Sequence, residues 1–154
     1  MRRFENLEKY IGGDEEELAI SMFDFICQIT DYGEDISELS QPQKNFYYIE
    51  LLEAEINNGG FDQYFFNSAG EFAQETILAL GEINAIKTVT ILQSAIECFP
   101  NKIAPKDRFD RQTAMEEINN REESFDVLDE KFYKYEDNIT VLLSDYIIKN
   151  KAFF

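Results

Sequence analysis

Carboxylates are the only groups present in quantity that could carry chemistry. The chain has 31 Asp and Glu against 14 Lys and Arg, no histidine, and two cysteines, Cys27 and Cys98. Without imidazole there is no Ser-His-Asp triad, no Cys-His pair and no His-ligated zinc or di-iron site. What remains is a helical enzyme that holds Mg²⁺ through paired Glu-x-x-Glu and Glu-x-x-Asp motifs. Glu50 and Glu53 form a first pair, but the nearest second pair, Glu123-Ser124-Phe125-Asp126, lies about seventy residues on. So many acids produce such a pair by chance. Gly59-Gly60 is followed by aromatics, not by the Lys-Ser or Lys-Thr of a phosphate-binding loop. The sequence is therefore read as a non-enzyme with no catalytic residue, cofactor or metal site. A carboxylate- and Mg-dependent enzyme is the alternative.

The net charge is −17. It opposes contact with phosphate backbones and with anionic membrane surfaces, so neither nucleic acid nor membrane is an expected partner. Solubility alone needs a magnitude of only ~2–8. Residues 1–40 hold eleven acids against three bases, and residues 41–100 hold eight against two. Helical spacing arranges them in rows. Glu17, Asp24 and Asp31 recur every seven residues, Glu71, Glu75 and Glu82 stand four and seven apart, and Glu122, Asp126 and Asp129 repeat the pattern. Side chains three or four apart on a helix stand about 5–6 Å apart, a step comparable with that of phosphates along DNA. The first two rows, each without a cation inside it, are the expected partner-binding surface. The expected partner is the basic surface of a DNA-binding or other cationic protein.

The elements that position these groups read as helices, and strand alternation is nearly absent. Asp14 is a plausible N-cap for a helix over 15–32 that buries Leu18, Met22, Ile26 and Ile29, with Gly33 as its stop. Ser40-Gln41-Pro42-Gln43 is a capping-box pattern that opens a helix with Phe46, Ile49, Leu52 and Ile56 inward. Asn57-Asn58-Gly59-Gly60 ends it, with positive φ at one glycine. The aromatic segment from Phe61 to Phe66 reads as core, and the amides of Asn58, Gln63 and Asn67 as ties to the turn backbone. Later helices carry Ala73, Ile77 and Leu80, then Val89, Leu92, Ile96 and Phe99 up to Pro100. After a loop over 101–108 come helices with Phe125, Leu128, Phe132 and Tyr135, and with Ile139, Leu143 and Tyr146. The expectation is one all-α domain over residues 1–154, of six to eight helices. Neither a secretory h-region nor an apolar run of membrane length is present, and both cysteines lie in apolar helical patterns. The expected location is cytoplasmic.

The run Asn58-Gly59-Gly60-Phe61, Gln63-Tyr64-Phe65, Asn67-Ser68 and Gly70 resembles the motif of a bacterial domain-of-unknown-function family that includes a DNA-mimic protein from Neisseria. The likeness covers about residues 44–100. One step departs from it: Ile83-Asn84-Ala85 stands where the family has Ile-Gly-Ala. Asn tolerates a left-handed backbone, so the turn survives. The resemblance implies an all-helical fold. Its DNA-mimic member implies a dimer whose acidic face occupies the DNA-binding surface of a transcription regulator. The motif itself consists of apolar, Gly and amide residues, a structural signature with the mimicking acids outside it. An acidic immunity or antitoxin-type inhibitor would use the same physics on another basic partner.

Overall fold

The computed structural model describes residues 2–5, 7–119 and 125–154. Among the described residues seven α-helices follow in chain order: α1 (Glu15–Ile29), α2 (Gln41–Phe66), α3 (Ala73–Glu82), α4 (Ile86–Glu97), α5 (Arg108–Asn119), α6 (Asp126–Phe132) and α7 (Ile139–Lys149). Three short 3₁₀ turns stand at Leu7–Lys9, Ser68–Phe72 and Pro100–Lys102, and no strand occurs among the described residues. The protein is all-α. No helix among the described residues is long and apolar enough to cross a membrane. Glu122, Glu123 and Ser124 lie outside the described residues.

The chain divides into two compact units. One comprises the described residues up to Tyr47 with Asn138–Phe154, and the other Tyr48–Asp137. The division falls inside α2, so no change of composition marks it. In the first unit α1 packs on α7. Leu18, Met22 and Ile26 of α1 and Leu143 and Ile147 of α7 are buried, and Phe154 is buried with its ring 6.1 Å from Phe46. The starts of α1 and α2 follow the sequence closely. The Asp14 carboxylate accepts from the N–H groups of Glu16 and Glu17 at 2.9 and 3.0 Å. Ser40 Oγ accepts from Gln43 N–H, and Gln43 Oε1 from Ser40 N–H, a reciprocal box that satisfies two orphan donors. The end of α1 comes earlier than the sequence indicates. Thr30 bonds back to the Ile26 carbonyl, and Asp31 and Tyr32 both take positive φ before Gly33.

The second unit is organised by a break in α2. Gly60 has φ +71, and it separates the long first part of the helix from Phe61–Phe66. A Cβ there would overlap the carboxylate of Asp129, whose Oδ1 accepts the Phe61 N–H at 2.8 Å. The break therefore seats an acid of α6 against the first donor of the restarted helix. Beyond it Phe61, Tyr64 and Phe65 are buried, with Phe65 edge-on to Phe99 at 4.8 Å and 5.5 Å from Phe125. The aromatic run is core, as expected, apart from Phe66, which is 53% exposed.

The carbonyls at the end of α2 go to a buried cation. Arg111 on α5 is 0% exposed. Its Nε donates to the Phe65 carbonyl at 2.6 Å, Nη2 to Asn67 at 2.8 Å, and Nη1 to both Pro105 and Lys106 at 2.8 Å. No carboxylate of the described residues bonds it directly. Its charge meets the negative end of a helix, and four of its five N–H groups close onto main-chain oxygens. A Cβ on Gly70 would crowd Arg111 Nε and the Phe65 backbone, so this glycine is required for close approach. Arg111, Met115 and Ile118 make the buried stripe of α5. An arginine in an apolar register hides that helix from a reading of hydrophobic periodicity, and the expected loop over 101–108 leads straight into it. The expected break after α3 is present, with Asn84 at φ +61. The helix of Phe125 and Phe132 stops before Tyr135, which has φ +46.

Gly60→Val should cost more than ~2 kcal/mol in urea unfolding, because it combines a left-handed backbone with overlap onto Asp129. Gly59→Ala should cost less, since its φ of −161 is open to any residue and its cost comes only from crowding Gln63, whose Cβ would lie 2.8 Å from the added methyl. Equal effects at the two glycines would remove this account of the break. Arg111→Met should destabilise by about 3 kcal/mol or more, leaving buried carbonyls unpaired. Arg111→Lys should recover only part, because an ammonium cannot reproduce the planar fork.

Candidate functional site

The acidic rows are altered by the fold. Glu17 and Asp24 are exposed on α1, two turns apart, about 10 Å along the axis. Asp31 is exposed but lies past the helix end in left-handed backbone, so it does not continue that row. Glu71 is exposed in the 3₁₀ turn before α3, and Glu82 is exposed at the last position of α3. Glu75, in the first turn of α3, is half-buried and ion-paired with Lys106. The expectation of a row without a cation is corrected at this position: Lys106 comes from the segment before α5, a proximity that local spacing cannot reveal. Of the third row, Glu122 is outside the described residues, Asp126 is exposed, and Asp129 serves the α2 break.

The motif amides differ from expectation as well. They bind an acid and one another, not the turn backbone. Glu55 Oε2 accepts from Gln63 Nε2 at 2.7 Å and from Asn67 Nδ2 at 2.9 Å, and Gln63 Oε1 accepts from Asn58 Nδ2 at 3.0 Å. Glu55 thus clasps the two sides of the glycine break. Asn58, Gln63 and Asn67 line a groove of about 720 Å³ together with Asp62 and Phe66 of α2 and with Gln112, Met115 and Glu116 of α5. Asp62 also approaches α6: partial burial and then the Asp126 charge hold its carboxyl above the ordinary carboxylate value. Asp62, Glu116 and Gln112 carry no signal in the sequence, because the α5 side of the groove depends on the buried Arg111.

Glu50 and Glu53 stand one turn apart on α2 and are half-buried. Burial, then repulsion from Glu53, pushes Glu50 up to about 8. Burial pushes Glu53 up to about 7, against a hydrogen bond with Tyr135 that lowers it. The Tyr135 hydroxyl accepts from Asn57 Nδ2 at 2.6 Å, and Tyr133 donates to the Ile56 carbonyl at 2.8 Å. The aromatic segment after α6 is thereby tied to α2 over this pair. Among the described residues no group of three or more His, Cys, Asp or Glu is arranged to hold a metal.

The pair has a signed consequence. A carboxyl raised in the folded protein binds its proton more tightly there than in the unfolded chain, so stability falls as pH rises from about 4.5 to about 8. Melting temperature should therefore drop across that window. The double variant Glu50→Gln, Glu53→Gln should flatten the slope by on the order of 2 kcal/mol per pH unit. An unchanged slope would assign the pH dependence to other acids.

The motif's buried glycines and aromatics, the broken α2 and the amide clasp together describe a particular helical architecture, and a family comparison bears on it. No curated protein and no solved structure gives a match. A family model described as DMP19-like protein matches residues 37–150. That span runs from before the capping box of α2 through α7 and covers most of the chain, including every residue of the Asn58–Gly70 motif. This chain belongs to the DMP19-like protein family.

Proposed function

We propose that this protein acts as a DNA mimic, occupying the basic DNA-binding surface of a partner such as a transcription regulator. The observation that carries the reading is the net charge of −17 in a DMP19-like chain. Exposed acids on helices support it. Glu17, Asp24 and Asp31 in the first unit, and Glu71 and Glu82 in the second, are held on or beside rigid helices where their spacing does not fluctuate as it would in a tail. Glu75 contributes less, since Lys106 offsets it. The mode of action is occupancy, not catalysis. Long-range attraction would steer encounter, and short-range charge matching would select the partner. A homodimer would present each acidic surface twice.

Retrieval of the partner from native cell extract at low salt, followed by competition with its labelled DNA, tests this reading. Affinity should fall steeply with ionic strength, as DNA binding does. Reversing Glu17, Asp24 and Asp31 together, or Glu71 and Glu82 together, should weaken binding about tenfold or more while leaving the helical circular dichroism intact. A stable ternary complex of this protein, the partner and DNA would reject mimicry.

A further inference from the structure

The outward face of α3 carries features that the fold of the second unit does not use. Leu78 is 71% exposed and stands inside an acidic row, three residues after Glu75 and four before Glu82. Residues at that spacing share one side of a helix. Gln74 and Gly81, four before Leu78 and three after it, are exposed on the same face. Ile86, the first residue of α4, is 57% exposed just past the turn.

Gly81 is the informative position. A glycine inside a helix carries a backbone-entropy cost that alanine does not. Two features of a fold call for it, a left-handed backbone and a close approach, and Gly81 has neither. Its φ is not positive, and a Cβ there would meet nothing within 4 Å. Nor does it end the helix. That role belongs to Asn84, at φ +61. The Asn84 N–H donates to the Gly81 carbonyl at 3.0 Å and the Ala85 N–H to the Leu80 carbonyl at 2.9 Å, the paired bonds of a Schellman turn. α3 thus keeps a bare notch beside a projecting leucine, and none of the described residues fills it.

A knob and a notch one turn apart let another helix approach closely, and the acids around them set the charge of that helix. We propose that the α3 face is an interaction surface for a cationic helix of a protein partner, with an aliphatic side chain of that helix packed on Leu78 and its main chain brought close at Gly81. The inference rests on the basic partner proposed above and names where it is held. Glu71 is exposed just before α3 and Glu82 at its last position, so lysines or arginines flanking the aliphatic side chain meet a carboxylate on either side. A second copy of this chain fits worse, because it brings the same acids and a net charge of −17 to the contact, against one exposed lysine, Lys87, beside Ile86. A phosphate row has no counterpart to Leu78. The apolar contact adds a part of the affinity that salt does not screen, and it selects by shape among partners that charge alone cannot distinguish.

The probe is a capped synthetic peptide, two copies of Lys-Leu-Ala-Lys-Leu-Ala-Lys in tandem, titrated into ¹⁵N-labelled protein at low salt. Its control has every Leu replaced by Ala and keeps the charge and the helical propensity. Backbone amide signals of Leu78, Gly81 and Glu82 should move with the leucine peptide, and the alanine peptide should bind there at least about fivefold more weakly. Leu78→Gln and Gly81→Gln should each weaken the leucine peptide about threefold or more, while Gly81→Gln melts no lower than the parent protein. A lower melting temperature for Gly81→Gln would give the glycine a role in the fold and overturn the proposal. So would equal binding of the two peptides, shifts confined to the acids of α1, or no shift at all. A change of oligomeric state in Leu78→Gln, read by sedimentation, would assign the face to a second copy and overturn it as well. Absence of peptide binding with DNA competition intact removes the α3 surface alone. Peptide binding alongside a stable ternary complex removes mimicry and leaves the α3 surface standing.

Discussion

A buried guanidinium sets the geometry of the second unit. Arg111 supplies main-chain hydrogen bonds that neither helix could make alone, because the last carbonyls of α2 have no partner within their own helix. Burying a charge is costly unless its donors are matched. Here four bonds to carbonyls match them, two at the end of α2, on the side of the macrodipole where a cation is favoured, and two in the segment before α5. Arg108 and Gln112, both donating to the Phe66 carbonyl, extend the same closure to the surface. The approach requires that Gly70 lack a side chain. α5 therefore packs through a cation in its apolar stripe, and the groove opposite inherits its α5 wall from that contact.

The large acidic inventory divides by role. Glu55, Asp129 and Asp137 are structural acceptors. Glu55 holds the amides across the α2 break, Asp129 caps the restarted helix, and Asp137 accepts from the N–H and hydroxyl of Thr88 at the positive end of α4 at 2.7 and 3.0 Å. Glu50 and Glu53 sit in a dry enough place to titrate near neutrality. Their ionisation is a cost borne by the fold. Glu17, Asp24, Asp31, Glu71 and Glu82 remain at the surface. A count of acids therefore overstates the surface available to a partner, while the net charge still governs long-range attraction.

An acidic surface and a polar groove solve different parts of a recognition problem. Dispersed charge raises the encounter rate and decays over a Debye length, about 8 Å at physiological salt. A groove lined by fixed polar groups discriminates at contact, where an unmatched polar group is penalised. The family motif contributes to the second property through Asn58, Gln63 and Asn67, which shape the groove while they secure the glycine break.

The amino-acid sequence by itself determined the helical class, the capped starts of α1 and α2, the inward faces of Leu18–Ile26 and Phe46–Ile56, and the glycine break. All of these are set within one or two turns, by periodicity, capping side chains and the φ freedom of glycine and asparagine. The family likeness was legible for the same reason, since its motif is contiguous. Tertiary structure alone decided the rest. Lys106 reached Glu75 from the segment before α5, and Asp129 turned from a surface row to Phe61. α5 stayed hidden because Arg111 holds the place of a leucine, and only the carbonyls of Phe65 and Asn67, more than forty residues away, make that place habitable for a charge. Spacing along one helix predicts which side chains share a face, but whether a carboxylate there meets water, a cation or a backbone N–H depends on what another segment brings to it.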